Sequence, residues 1–225
     1  EPLEALQALA AAAATVAAEP RGVAFLQTHL GGALPRREWD SVAKLCQRVE
    51  FAIHVYSEYR VSSVAPFKCL YLEALDGPTT EALVNIGIPP ESLYPCNRDA
   101  AELRGLHERF PGIHPVVGDI YSAFREQEFD AVWFDTTSTW LKREEAGQPW
   151  NRAIVPELQK VRVAAVTLSC RQVKGGAVGF ANELQALMES MGGKFEQGVR
   201  EYSGKSALTN MVFGCARFPC ARELA

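Results

Sequence analysis

Cys69-Leu70-Tyr71-Leu72-Glu73-Ala74-Leu75-Asp76-Gly77-Pro78 is the stretch that decides how the chain is read. An unbroken apolar run gives way at once to Glu73 and Asp76 around a Gly-Pro pair. A short run without polar alternation is what a strand covered on both faces requires. Gly77-Pro78 then opens a helix, because the first helical position has no intrahelical partner for the N–H that proline lacks. The helix continues through Ala82, Leu83 and Ile86 and stops at Gly87.

The same unit recurs downstream. Leu93-Tyr94 leads into Pro95-Cys96-Asn97 and a helix over Arg98–Phe110. Pro95 cannot donate to a ladder, so this strand is expected to be short, with Pro95 already at its exit. His114–Val117 closes at Gly118-Asp119 before a short helix, Ile120–Gln127, and Phe129–Phe134 ends at Asp135. A helix over Trp150–Lys160, a β-branched run Val161–Leu168 and a helix over Phe180–Met191 follow. Runs Phe195–Tyr202 and Leu208–Phe218, joined by Ser203-Gly204-Lys205-Ser206, read as an antiparallel hairpin. The alternation predicts an α/β fold: a doubly wound, Rossmann-like sheet of about seven strands, mostly parallel, with that hairpin at its C-terminal edge.

Upstream, residues 1–66 read as an N-terminal helical extension and residues 67–225 as the sheet domain. Leu3, Leu6, Leu9 and Val16 lie on an alanine-rich helix, and Val23–Leu30 is a short apolar segment. Between Glu38 and Tyr59, Trp39, Val42, Cys46, Val49, Ile53 and Tyr56 step by threes and fours into one stripe. Lys44, Arg48, Glu50 and Glu58 fall largely away from it.

The chain has 225 residues, 48% hydrophobic and 22% charged, with a net charge of −4. That is enough to bury a core without a disulfide or metal staple, and it excludes a strongly basic nucleic-acid-binding module. A nucleic-acid partner is not indicated by the charge, although a local basic patch is compatible with it. No apolar run approaches the roughly 18 residues of a membrane span, and Ala8–Ala18 is too weakly hydrophobic for a signal-peptide core. The six cysteines are scattered without a C-x-x-C pair. They are expected to be reduced, in an intracellular protein whose compartment the sequence leaves open. His29, His54, His107 and His114 have no second ligand at metal spacing, so no metal is expected.

In an open α/β sheet, ligands bind beyond the carboxyl ends of the strands. The residues there are Glu73, Asp76 and Gly77, then Asn97, Asp119 and Asp135. A dinucleotide needs G-x-G-x-x-G so that its pyrophosphate can approach the backbone. Here a lone Gly77 stands beside two carboxylates that would repel it. A cationic nucleoside suits this set better.

At these residues the sequence resembles the class I, Rossmann-like, seven-stranded S-adenosylmethionine-dependent methyltransferases, over about Phe67 to Pro219. The resemblance implies that Leu70–Gly77 is the cofactor turn, with Glu73, beside Asp76 and Gly77, holding the methionine amino group. It implies that Asn97 meets the ribose, Asp119 the adenine amino group and Ile120 the ring, and that Asp135 orients the acceptor. Asp119 and Asp76 also read as N-caps. The polar segment Thr136–Asn151 is either a substrate wall carrying Trp140 and Trp150 or a connection in which both anchor the next helix. Lys174-Gly175-Gly176 adds a lone lysine after the fifth strand.

The expected activity is methyl transfer from S-adenosylmethionine to an RNA, protein or small-molecule acceptor. Ala74 and Leu75 fill positions where that family carries glycine. They keep open an inactive, methyltransferase-like binding or assembly subunit whose N-terminal helices meet a protein partner.

Overall fold

The computed structural model describes residues 42–62, 66–74, 76–139, 144–145, 148–149, 154–169, 176–196, 198–203 and 210–219. The helix and apolar segment read over residues 3–30, and Trp39, Leu75, Trp140, Trp150 and Lys174, lie outside the described residues. In chain order the elements are α1 (Val42–Val61), β1 (Cys69–Leu72), α2 (Pro78–Ile86), a 3-10 turn (Pro90–Ser92), β2 (Leu93–Asn97), α3 (Ala100–Arg109), β3 (Val116–Val117) and α4 (Ile120–Glu126). Then come β4 (Ala131–Thr139), β5 (Glu144–Glu145), β6 (Gln148–Pro149), a 3-10 helix (Val155–Lys160), β7 (Val163–Ser169), α5 (Gly176–Ser190), β8 (Lys194–Phe195), β9 (Arg200–Ser203) and β10 (Asn210–Arg217).

The main sheet has the order β3-β2-β1-β4-β7-β10-β8, with β9 also pairing with β10. Pairings from β3 through β7 are parallel, while β10 runs antiparallel to β7, β8 and β9. This is the doubly wound α/β sheet with an antiparallel C-terminal edge that the alternation predicts. The run read as one strand over Phe195–Tyr202 is two pieces, because Gly198 takes φ +71 between them and breaks the ladder. β5 and β6 pair as a separate ribbon inside the long connection after β4.

Pro95 does not end β2, which continues to Asn97. Pairing between β2 and β3 starts only at Cys96 opposite Val116, so the proline faces no β3 residue and its missing donor leaves no gap in that ladder.

Alternate residues of the strands feed two cores. On one face Phe51, Ala52 and Val55 of α1, Leu83 of α2 and Leu106 of α3 pack with Tyr71, Trp133 and Phe213. On the other, Phe124 of α4, Leu158, and Phe180 and Leu184 of α5 pack with Leu70, Phe134 and Val166. The stripe read on α1 is half of the story. Val49 and Ile53 are buried, but so is every residue from Gln47 to Val55, including Arg48, Glu50 and His54. A helix enclosed around its whole girth cannot be read from one stripe.

α1 lies antiparallel to the central strands. Its C-terminal half meets their starts, where Arg162, buried, lies 3.7 Å from Asp130 Oδ1 and 3.9 Å from Glu58 Oε2. His54 is buried on α1 with Nδ1 4.0 Å from Glu196 Oε1, and Glu196 also accepts from Arg217. Burial, joined by the nearby Arg217 charge and opposed by Glu196, lowers the His54 pKa from 6.5 to about 4.

The unfolded chain therefore binds a proton at His54 before the folded chain does. The stability this group contributes is present above pH 6.5 and is lost as pH falls through about 4. The full loss is about 3 kcal/mol. Urea unfolding from pH 7 to pH 4 should show this slope in the native chain and a shallower one in His54→Leu; equal slopes would contradict it.

Candidate ligand site at the strand ends

β1 and β4 are neighbours, yet β2 and β3 lie to one side and β7 to the other, so the strand order reverses between them. That switch point is where such sheets open a crevice. Tyr71 is opposite Pro95 and Trp133, and Leu72 is opposite Cys96. One residue further, Glu73, Asn97 and Asp135 share a level across three strands. Glu73 and Asp135 follow Tyr71 and Trp133 by two, and so project to the face that α1 and α2 cover.

Glu73 is buried, and the chain itself engages its carboxylate fully. Oε1 accepts from the amides of Ala74 (3.0 Å) and Thr79 (3.4 Å), and Oε2 from the Thr80 amide (2.6 Å) and Thr80 Oγ1 (2.8 Å). Because the Thr80 proton goes to Glu73, Tyr71 donates to Thr80 Oγ1 at 2.8 Å. Thr79 and Thr80 sit in the first turn of α2, whose amides have no helical acceptor. The N-cap itself is Gly77, which has no side chain to offer, so the strand-end carboxylate does the capping that was expected of Asp76. Burial pushes the Glu73 pKa up; the Thr80 and Ala74 bonds and the charge of Arg48 pull it back only in part.

Gly77 adopts φ +61, and a Cβ there would lie 2.2 Å from Leu106 Cδ1. The left-handed backbone there favours glycine, and a side chain would also oblige Leu106 of α3 to shift where that helix approaches the turn. Arg109 of α3 reinforces that approach, bonding the Asp76 carbonyl and, at 2.7 Å, Glu81 Oε2.

Asn97 ties the second strand end together. Its Nδ2 donates to the Glu73 carbonyl at 2.8 Å and to Glu102 Oε2 at 2.7 Å, and its Oδ1 accepts from the Asp99 amide at 2.9 Å. Asp99 caps α3. Glu102, half-buried three residues later, brings a carboxylate to a strand end where the sequence offered only an amide. The Asp99-x-x-Glu102 spacing is the signal that could have found it.

Asp119 caps α4 by accepting from the Tyr121 amide at 3.2 Å, and its Oδ1 accepts from Arg98 at 3.0 Å. Its side chain keeps 27% exposure. Before it, Gly118 has φ +148, and a Cβ there would meet no atom of the described residues within 4 Å, so the space over this strand end is open. Ile120 is buried in the core beneath α4.

Asp135, 24% exposed, pairs with Lys44 Nζ from α1. The same Nζ stands 5.0 Å from the ring centroid of Trp133, which is fully buried and donates to Thr167 Oγ1 at 3.0 Å. Lys44 and Arg48 are one helical turn apart and serve carboxylates on adjacent strands. In the sequence both fall largely away from the apolar stripe. Their i, i+4 spacing was visible, but nothing local said which way that face turns. Among the described residues no three His, Cys, Asp or Glu side chains gather as a metal site, and Cys46, Cys69, Cys96 and Cys215 are not in disulfides. No described helix is long and apolar enough to cross a membrane.

No protein-family model matches this chain, and no curated protein matches it in sequence. Solved structures do. The Thermoplasma acidophilum protein 1320 superposes with a TM-score of 0.51 at 11% identity, over 87% of this chain and 96% of that one. The N-methyltransferase NodS from Bradyrhizobium japonicum WM9, solved with S-adenosyl-L-homocysteine, gives 0.50 at 15% identity, over 87% of this chain and 97% of its own. With the strand order above, these likenesses establish the class I, Rossmann-like methyltransferase fold.

Glu73→Gln puts an amide NH2 among N–H donors and leaves at least one of them without an acceptor. It should cost about 2 kcal/mol in urea unfolding at pH 7. Because the folded state holds the Glu73 proton more tightly than the unfolded chain, the native chain should gain on the variant as pH falls toward 4.5. A gap that narrows on acidification would contradict the assigned direction.

Proposed function

We propose that the carboxyl ends of β1 to β4 bind S-adenosylmethionine and that the chain transfers its methyl group to an acceptor lodged against Asp135. The observation that carries this reading is the row of carboxylates across one end of the sheet, Asp119 after β3, Glu102 held by Asn97 at the end of β2 and Asp135 in β4, with open space over Gly118. That donor set is anionic, which suits a cationic nucleoside with amino and hydroxyl donors and disfavours a phosphate.

The adenosine half fits the residues present. Asn97 with Glu102 offers a charge-assisted acceptor for ribose hydroxyls. Asp119 offers a carboxylate to the adenine amino group while still capping α4, and Ile120 supports the base from the core. At the methionine end, Glu73 acts as a positioning residue. It fixes the turn around Gly77 and leaves the ammonium group to Asp76 and the carbonyls of that turn. When bound, the sulfonium supplies an electrophilic methyl carbon. The chain's part is then alignment, with Asp135 orienting the acceptor and α1 closing the wall beside it. The acceptor is an RNA, a protein or a small molecule.

A second reading, an inactive binding or assembly subunit, is favoured by the methionine end. There Leu106 takes up the space beside Gly77 and the Glu73 carboxylate is already spent. Calorimetric titration with S-adenosylhomocysteine separates the two. Saturable heat, weakened about tenfold in Asp119→Asn, is expected, since asparagine keeps the cap and loses the charge. No heat at millimolar ligand would leave the second reading standing.

A further inference from the structure

We propose that Lys44 is itself a methyl acceptor, so that the chain modifies its own α1 at the mouth of the crevice. The proposal rests on the cofactor reading above and deepens it by naming the acceptor chemistry, a primary amine.

Three observations converge. Lys44 reaches from α1 to the β4 strand next to the switch point, where its Nζ pairs with Asp135. That Nζ also lies 5.0 Å from the centroid of the Trp133 ring, and the ring is fully buried. A carboxylate beside an aromatic face is the environment that holds an ammonium and its N-methylated forms alike, because methylation keeps the charge and spreads it over a surface the ring can contact. Finally, Lys44 remains 16% exposed and Asp135 24%, so the pair is partly open to solvent and is not sealed in the core. Any outside acceptor approaching Asp135 would have to displace Lys44; a resident amine occupies that place first.

The step balances as follows. Lys44 releases one ammonium proton to water, and its freed lone pair forms the N–CH3 bond. The S–CH3 bond breaks with its electron pair left on sulfur, yielding a neutral thioether, and the methylated nitrogen again carries the positive charge that Asp135 and Trp133 hold.

The full chain, incubated with S-adenosylmethionine, should gain about 14 Da per methyl group, and peptide mapping should place the mark on Lys44. Lys44→Arg should lose the mark while still giving heat with S-adenosylhomocysteine. In the unliganded protein the Lys44 side-chain methylene protons should resonate upfield under the Trp133 ring, and less so in Asp135→Asn. Heat with S-adenosylhomocysteine but an unmodified Lys44 at pH 9, or a mark on another lysine, overturns the proposal and leaves the cofactor reading intact. Absence of heat overturns both, and methylene protons at ordinary positions overturn the placement of Lys44.

Discussion

Everything at the strand ends depends on one carboxylate. Glu73 leaves β1 at the point where α2 must begin, and α2 begins with Gly77-Pro78, a pair with no side chain able to cap it. Thr79 and Thr80 therefore present buried amides that would cost about 1–3 kcal/mol each if left without acceptors. Glu73 meets both, takes the Thr80 hydroxyl as well, and through it fixes Tyr71 in the core. The burial that raises its pKa is the cost of placing an acid there, and the four donors are what keep it in place. Asn97 extends the constraint by donating to the Glu73 carbonyl, so the first two strand ends move as one piece.

The second organising element is α1. It covers the sheet with Phe51, Ala52 and Val55, and it brings basic residues to the acidic strand ends: Lys44 to Asp135, and Arg48 within electrostatic reach of Glu73. Its other end is held where Arg162 lies beside Glu58 and Asp130. The crevice thus has a wall built from a segment that sequence reading assigned to a helical extension. The acidity noted from composition becomes local and partly compensated, with Lys44 on Asp135 and Arg98 on Asp119.

Much of the fold was legible because the chain alternates buried runs with amphipathic helices, and several of its turns carry a glycine or proline. The β4 run from Ala131 to Phe134 is apolar on both faces, and the sheet order explains why: it lies between β1 and β7. The breaks in legibility are also physical. Pro95 was read as a stop, although whether proline is tolerated depends on where the neighbouring strand begins pairing, which is a tertiary fact. α1 looked one-sided because Arg48, Glu50 and His54 are polar, and nothing local announced their burial. At the site, the positions of Glu73, Asn97 and Asp119 followed from strand endings, whereas Asp135, read as the end of its strand, lies inside β4, which runs on to Thr139 past an irregularity in its pairing with β7. Their partners did not, because Thr80, Glu102 and Lys44 arrive from helices whose orientation only packing sets.

The capping role of Glu73 is tested most directly by amide hydrogen exchange at Thr79 and Thr80. First-turn amides are the orphans of a helix and exchange quickly unless something accepts from them. Protection approaching that of the β1 and β4 core, lost in Glu73→Gln, is the result this account predicts. Exchange at the rate of free first-turn amides in the native chain would contradict it.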